Sequence, residues 1–259
     1  MATFLFDKII FGPVQSRRLG ISLGINLLPE THKMCNFNCI YCECGWNENT
    51  AKNKKPLPTA DQVIEALHQK LQEMQSQQML LDVITFAGNG EPTLHSDFPK
   101  IIDATLLARD KYFPEAQIAV LSNGTRADDP DIFNALRKVD RNILKLDPGT
   151  EETCKMINKP SGNFSLQQHI EKLRKFNGHL IVQSLFVKGN YQGKDIDTST
   201  GKDLVEWLRY IKQIAPREVM IYTIERDTAA PGLSKVPREQ LENIAADVKK
   251  LGIATHIAG

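Results

Sequence analysis

The chain has 259 residues, 41% of them hydrophobic and 24% charged, with a formal net charge of +1. This is a globular composition, which excludes a disordered chain, and the near-balanced charge excludes a strongly basic nucleic-acid binder. No apolar run is long enough to span a bilayer, and the start, from Met1 to Lys8, lacks the basic and apolar regions of a secretory signal. Five cysteines are too few for a disulfide scaffold. Cys35, Cys39, Cys42 and Cys44 fall close together and Cys154 stands alone, a distribution that reads as metal-binding or redox before it reads as disulfides.

In chain order, Leu19 to Leu28 reads as a first strand leading into the cysteine loop. The stretch 47–58, with Asn, Lys and proline, is expected to be flexible. Thr59 to Gln62 is a capping box, after which Val63, Ile64, Leu67, Leu71 and Met74 form one helical face. Leu81 to Ala87 is a buried strand ending in Gly88-Asn89-Gly90, and Phe98 to about Tyr112 is a helix. Ala116 to Leu121 is a strand stopped by Ser122-Asn123-Gly124, and Asp129-Pro130 opens a helix. Asn142 to Leu146 is a strand, and Ser165 to Gln168 is a second capping box, with a helix to about Phe176. His179 to Val187 is a strand closed by Gly189. Asp203 to Ile214 is a helix with Leu204, Val205, Leu208 and Ile211 on one face. Val219 to Ile224 is a strand, and Pro237 starts a last helix with Leu241, Ile244, Val248 and Leu251 inward.

These make about six strand–helix units, and near-continuous apolar strands alternating with helices argue for a parallel sheet covered by helices. The expectation is an α/β fold, an open partial TIM-type barrel before a doubly wound sheet, as one domain over residues 1–259. Either architecture places ligands at the C-terminal ends of the strands. The polar and glycine-rich segments sit there: the cysteine loop, Gly88 to Pro92, Ser122 to Thr125, Lys145 to Gly149, Val187 to Gly189 and Thr223 to Asp227.

Cys35, Cys39 and Cys42 have the spacing C-x3-C-x2-C. Three thiolates on one short loop reach three corners of a cuboidal [4Fe–4S] cluster, leaving one iron open to a substrate or cofactor. The bland alternative is structural zinc with Cys44 as fourth thiolate; four ligands crowded on one segment would staple little. Cys154 reads as a partly buried small side chain.

The loop, with Tyr41 just before its last cysteine, resembles that of the radical S-adenosylmethionine (radical SAM) superfamily, and the strand–helix count is consistent with that superfamily's partial barrel. Gly88-Asn89-Gly90-Glu91-Pro92 is similar to its Gly-Gly-Glu-Pro element, with Asn89 where a glycine would stand. The resemblance implies that this backbone and Glu91 hold the methionine amine of S-adenosylmethionine, which needs acceptors. Ser122-Asn123-Gly124 is similar to a turn beside that cofactor, or is an ordinary polar turn. Lys145 and Asp147 share a face of their strand, with Leu144 and Leu146 turned to the helices. Charges aimed inward are costly unless paired or ligated, so the two are candidate catalytic or binding residues, or else an internal salt bridge. Gln183 is a candidate for lining the cavity, and Tyr222 to Asp227, with Ile224, resembles the place where backbone meets adenine; Glu225 and Arg226 equally read as a solvated rim.

Within the superfamily the chain is similar to the group related to archaeal wyosine synthase, in Gly12-Pro13, Ser16 to Gly20, Lys145 to Thr153 and Tyr222 to Arg226. It departs from that group in having no cysteine before Cys35, and resembles a minimal core without the second-cluster site. The resemblance implies a [4Fe–4S] cluster on Cys35, Cys39 and Cys42, S-adenosylmethionine as cofactor, and reductive cleavage to a 5′-deoxyadenosyl radical that abstracts hydrogen. It also implies a one-electron reductant such as flavodoxin or ferredoxin and an unidentified substrate: small molecule, peptide or RNA base. For RNA, Arg17, Arg18, Lys52, Lys54 and Lys55 would form a basic lip, although so small a charge run is usually a solvated face. A non-catalytic Fe–S or zinc module is the rival. A cytoplasmic location without membrane contact is the expectation.

Overall fold

A computed structural model describes residues 4–16, 18–47 and 56–258. Residues 48–55 of the stretch expected to be flexible, and Arg17, Lys52, Lys54 and Lys55 of the basic lip, lie outside them. The chain divides into two compact units: Leu5–Cys35 with Asn47–Asn142, and Met1–Phe4 with Asn36–Trp46 and Ile143–Gly259.

The first unit opens with β1 (Ile10–Ser16), antiparallel to β2 (Gly20–Ile25). The sequence pattern did not announce β1, because Gly12-Pro13 interrupts its alternation; the register shifts between Phe11 and Val14, as an edge strand allows around proline. Helix α1 (Ala60–Ser76) begins at the expected capping box, Thr59 accepting from the Gln62 amide and Gln62 from the Thr59 amide. It buries Ala60, Val63, Leu67, Leu71 and Met74. All four residues of β3 (Val83–Phe86) are buried, since β2 and β4 (Gln117–Ser122) flank it in parallel. Helix α2 (Phe98–Tyr112) lies between β3 and β4 in the chain, and α3 (Pro130–Lys138) follows β4 with Asp129 as its N-cap.

The strand β5 (Arg141–Lys145) carries the chain into the second unit. There follow α4 (Glu151–Ile157), α5 (Leu166–Arg174), β6 (Ile181–Leu185), β7 (Val187–Tyr191), β8 (Lys194–Asp197), α6 (Gly201–Ile214), β9 (Glu218–Tyr222), β10 (Leu233–Lys235), α7 (Arg238–Lys250) and β11 (Ala254–Ala258). β5, β6, β9 and β11 pair in that order, all parallel, while β10, β7 and β8 form a small antiparallel sheet. The six expected strand–helix units are all present: β2/α1, β3/α2, β4/α3, β5 with α4 and α5, β6/α6 and β9/α7.

Three local expectations are corrected. His179 to Val187 is not one strand closed by Gly189: β6 ends at Leu185, and Val187 opens β7, which contains Gly189. At this break the Phe186 amide bonds Tyr222 O (2.8 Å) and the Val187 amide turns to Thr198 Oγ1 (3.0 Å). The buried face of α6 centres on Trp207, Tyr210, Ile211 and Ile214, whereas Val205 is 65% exposed. Trp207 sets that face: it is fully buried against Phe186, and its indole N–H reaches Leu146 O at 3.1 Å and Ser184 Oγ at 3.0 Å. Leu251 is the C-cap of α7 and 36% exposed, not inward. β11 was not expected, since Thr255 and His256 interrupt its apolar pattern.

Candidate functional site

In the first unit, Cys35 is placed by its predecessor. The Met34 amide donates to Asn89 O (2.8 Å) and the Glu91 amide to Met34 O (3.0 Å), so Gly88 to Pro92 forms a short parallel bridge beside the first cysteine. Gly90 is required: its φ is 139°, and a Cβ there would run into the Met34 carbonyl. Asn47 Nδ2 donates to Cys35 O at 2.8 Å.

Glu91, just 2% exposed, caps the short 3₁₀ turn Pro92–Leu94. Its Oε1 accepts from Thr93 N (3.1 Å), Thr93 Oγ1 (2.6 Å) and Ser122 Oγ (2.8 Å), and its Oε2 from Asn123 N (2.6 Å). Burial raises its pKa; the donors from Asn123, Thr93 and Ser122 oppose this. These bonds unite the two predicted turns, and Oε2, with one protein donor here, retains acceptor capacity for a cation. Asn123 Oδ1 accepts from Thr125 N and Oγ1, as in an ordinary Asx turn, while its Nδ2 lies 3.7 Å from Cys35 Sγ.

In the second unit, the rest of the cysteine loop is stitched to the C-terminal end of α4. The Asn38 amide bonds Asn158 O (2.9 Å), the Ile40 amide bonds Ile157 O (2.9 Å), and Phe37 bridges Pro160. The Ala230 amide donates to Ile40 O at 2.8 Å, and Arg226 pairs with Glu43 at 2.9 Å. The stretch after β9 thus braces the loop, and Arg226 and Glu225, which pairs with Lys235, form an ion-paired rim. Ile224, just before them, is half-buried.

Lys145 and Asp147 lie together as expected, 3.5 Å apart. Asp147 is buried and fully engaged: Oδ1 accepts from the Leu185 amide (2.9 Å), Oδ2 from Asn158 Nδ2 (2.7 Å) and from the Tyr41 hydroxyl. Lys145, with 18% side-chain exposure, is the member of the pair with open surface; its Nζ also reaches Tyr41 Oη (3.3 Å) and Tyr222 Oη (3.2 Å). Burial alone would lower the Lys145 pKa, but Asp147 chiefly, with Tyr222 and Cys39, raises it above its ordinary value. Burial, then Asp147, pushes the Tyr41 phenol far up, so it remains a donor. Gln183, paired in register with Lys145, is 6% exposed, and its Nε2 has no hydrogen-bond partner among the described residues. An unpartnered buried donor beside a lysine suits a ligand that brings acceptors.

Asn158 and Tyr222 belong to this cluster; the sequence does not single out Asn158, and it marks Tyr222 only as the start of the segment expected near adenine. Tyr222 closes β9 on the cysteine-loop side; Asn158 is the C-cap of α4, and its amide touches Tyr41, Asp147 and Cys39. No spacing rule marks a C-cap asparagine as a neighbour of a cysteine more than a hundred residues away.

The donor set fits an iron–sulfur cluster. Cys35 and Cys39 each receive an asparagine amide N–H of the kind that supports cluster sulfurs. Among the described residues no three His, Cys, Asp or Glu side chains form a group able to hold a single metal ion. A cuboidal cluster takes one thiolate at each of separate irons and needs no such convergence.

The family model for the radical SAM superfamily matches residues 30–192, which include the cysteine loop, Gly88 to Pro92 and Lys145 to Asp147. The chain is 31% identical to a protein named GTPase Obg from Brachyspira hyodysenteriae over 92% of its own length, but spans only 33% of that relative. It is also 31% identical to a UPF0026 protein from Helicobacter pylori, over 88% of this chain and 70% of that one. Among solved structures, a radical SAM methyltransferase from Sphaerobacter thermophilus superposes with a TM-score of 0.67 at 13% identity, over 91% of this chain and 65% of that one. No described helix is long and apolar enough to cross a membrane. The structural likeness shows the fold, the mostly parallel α/β partial barrel expected from the strand–helix count. With more than half of its length matched by the family model, the chain belongs to the radical SAM superfamily.

Proposed function

We propose that the chain is a radical SAM enzyme in which Cys35, Cys39 and Cys42 hold a [4Fe–4S] cluster and Gly88 to Pro92 receives the methionine end of S-adenosylmethionine. The observation that carries this reading is the backbone bridge between Met34 and Gly90, which ties the Glu91 turn to the residue before Cys35. The cluster, when bound and reduced, supplies the electron that cleaves S-adenosylmethionine and generates a 5′-deoxyadenosyl radical for hydrogen abstraction from substrate.

The protein's part is binding, orientation and exclusion of water. Glu91, held by Thr93, Ser122 and Asn123, presents Oε2 to the cofactor's amine. Gln183 donates its free amide N–H to acceptors of cofactor or substrate. Lys145, held by Asp147, Tyr41 and Tyr222, offers a fixed cation to an anionic ligand group, and the backbone near Ile224 lines the rim. Asp147 and Tyr41 act through Lys145 and the loop; the chain works with a one-electron reductant and on a substrate whose class no residue specifies.

The test is anaerobic reconstitution followed by iron and sulfide analysis, then dithionite, S-adenosylmethionine and a search for 5′-deoxyadenosine. About four irons per chain and 5′-deoxyadenosine are expected, both abolished in Cys39→Ala, with product formation lost in Glu91→Ala. One zinc per chain, or a cluster that never cleaves S-adenosylmethionine, would overturn the reading.

A further inference from the structure

Each unit places one asparagine amide against one cysteine of the trio: Asn123 Nδ2 at 3.7 Å from Cys35 Sγ, and Asn158 Nδ2 at 3.5 Å from Cys39 Sγ. Neither amide is free to rotate away. Asn123 Oδ1 is held by the amide and hydroxyl of Thr125, at 3.0 and 2.7 Å. Asn158 is buried, its backbone amide is bonded to Cys154 O and its carbonyl accepts from Asn38. Its Oδ1 accepts from the Cys154 thiol at 3.6 Å, and burial, the largest cause, raises that thiol's pKa, so the S–H persists as a donor. The Cys154 S–H therefore fixes which end of the Asn158 amide faces Cys39. The two N–H groups on Nδ2 are then shared among Cys39 Sγ, Asp147 Oδ2 and Tyr41 Oη.

An N–H aimed at a ligand sulfur draws negative charge from it. It therefore favours the more negative, reduced state of an iron–sulfur cluster. We propose that Asn123 and Asn158 are positioning residues that set the reduction potential of the cluster, one amide on Cys35 and one on Cys39. Cys154 orients the second of them. This inference rests on the reading of Cys35, Cys39 and Cys42 as cluster ligands.

The experiment is an EPR-monitored potentiometric titration of the reconstituted holoprotein, beside Asn158→Leu and Asn158→Asp. Both variants remove the donor, and Asn158→Asp keeps an oxygen for the Cys154 thiol. The expected result is full iron content with a more negative potential in each variant. The ratio of reduced to oxidised cluster at fixed ambient potential falls on the order of tenfold, about 59 mV for a one-electron couple. An unchanged potential in variants that carry the cluster would overturn the inference and leave the proposed function standing; a wild-type protein without iron would overturn both. If neither variant folds, wild-type protein labelled with amide-¹⁵N asparagine decides. A ¹⁵N hyperfine coupling at the reduced cluster supports the inference, and its absence in pulsed EPR overturns it.

Discussion

The side chain of Asn89 pairs both ways with the backbone of Phe6. Its Oδ1 accepts the Phe6 amide at 2.8 Å, and its Nδ2 donates to the Phe6 carbonyl at 2.8 Å. The same Nδ2 donates to Pro29 O at 2.8 Å. Asn89 is the one departure from the glycine-rich element that its segment resembles, and here the side chain fastens the N-terminal segment to the turn. Its backbone is engaged as well: the amide donates to Asn26 Oδ1 at 3.1 Å and the carbonyl accepts from the Met34 amide at 2.8 Å. Asn89→Ala removes these three hydrogen bonds, so a loss of about 1–3 kcal/mol is expected in denaturant unfolding. A variant as stable as wild type would mean that water replaces these bonds at no cost.

Glu91 is as much an organiser of its turn as a group for a ligand. Glu91→Gln replaces one carboxylate oxygen with an NH2. With Oε1 kept toward Thr93 and Ser122, that NH2 faces the Asn123 N–H, donor against donor. A loss of about 1–3 kcal/mol is expected without any cofactor present. Unchanged apoprotein stability would assign Glu91 to the ligand alone.

Gly149 lies where the chain, leaving Asp147, passes α6. A Cβ at this position would strike the Asp203 carbonyl and the Trp207 amide. Gly149→Ala must push α6 outward, disturbing the bonds from Thr150 N (2.9 Å) and Thr150 Oγ1 (2.7 Å) to Asp203 Oδ1. Overpacking of this kind costs about 1–3 kcal/mol. A lower denaturation midpoint with unchanged denaturant dependence is expected; a midpoint at or above the wild-type value would contradict the close approach.

His169 on α5 makes stability depend on pH. Its Nε2 lies 3.0 Å from Lys145 O, and burial, the largest cause, lowers its pKa from 6.5 to about 4. Between these values the unfolded chain binds more protons than the folded one, so stability rises with pH. The contribution is fully present above pH 6.5 and lost as pH falls toward 4, about 3 kcal/mol in all at 1.36 kcal/mol per pH unit. Unfolding free energies measured across this window should lose that slope in His169→Gln. A slope that survives the substitution would point to other groups.

Much of the architecture was legible from local signals. Thr59, Asp129 and Ser165 mark helix starts because each accepts a backbone N–H within its own first turn. Apolar runs such as Val83–Phe86 mark strands flanked on both sides. Elements whose support is distant were not legible. β1 is held through a proline-interrupted register, β7, β8 and β10 form a small sheet of their own among the described residues, and β11 lies against β9 with weak apolar patterning. On α6, periodicity alone favoured Val205, but the fully buried indole of Trp207 sets the buried face.

The site divides in the same way. The spacing of Cys35, Cys39 and Cys42, the Gly88 to Pro92 turn and the like-facing Lys145 and Asp147 follow from covalent neighbours and strand alternation, so sequence by itself determined them. Tertiary structure alone decided that Asp147 is fully engaged while Lys145 keeps open surface, that Gln183 holds an unpartnered donor, and that Asn158 reaches Cys39. The reason is range: hydrogen bonds within one turn or strand are encoded by residues a few positions apart. A bond spanning more than a hundred residues exists only once the sheet and its helices have brought its partners together.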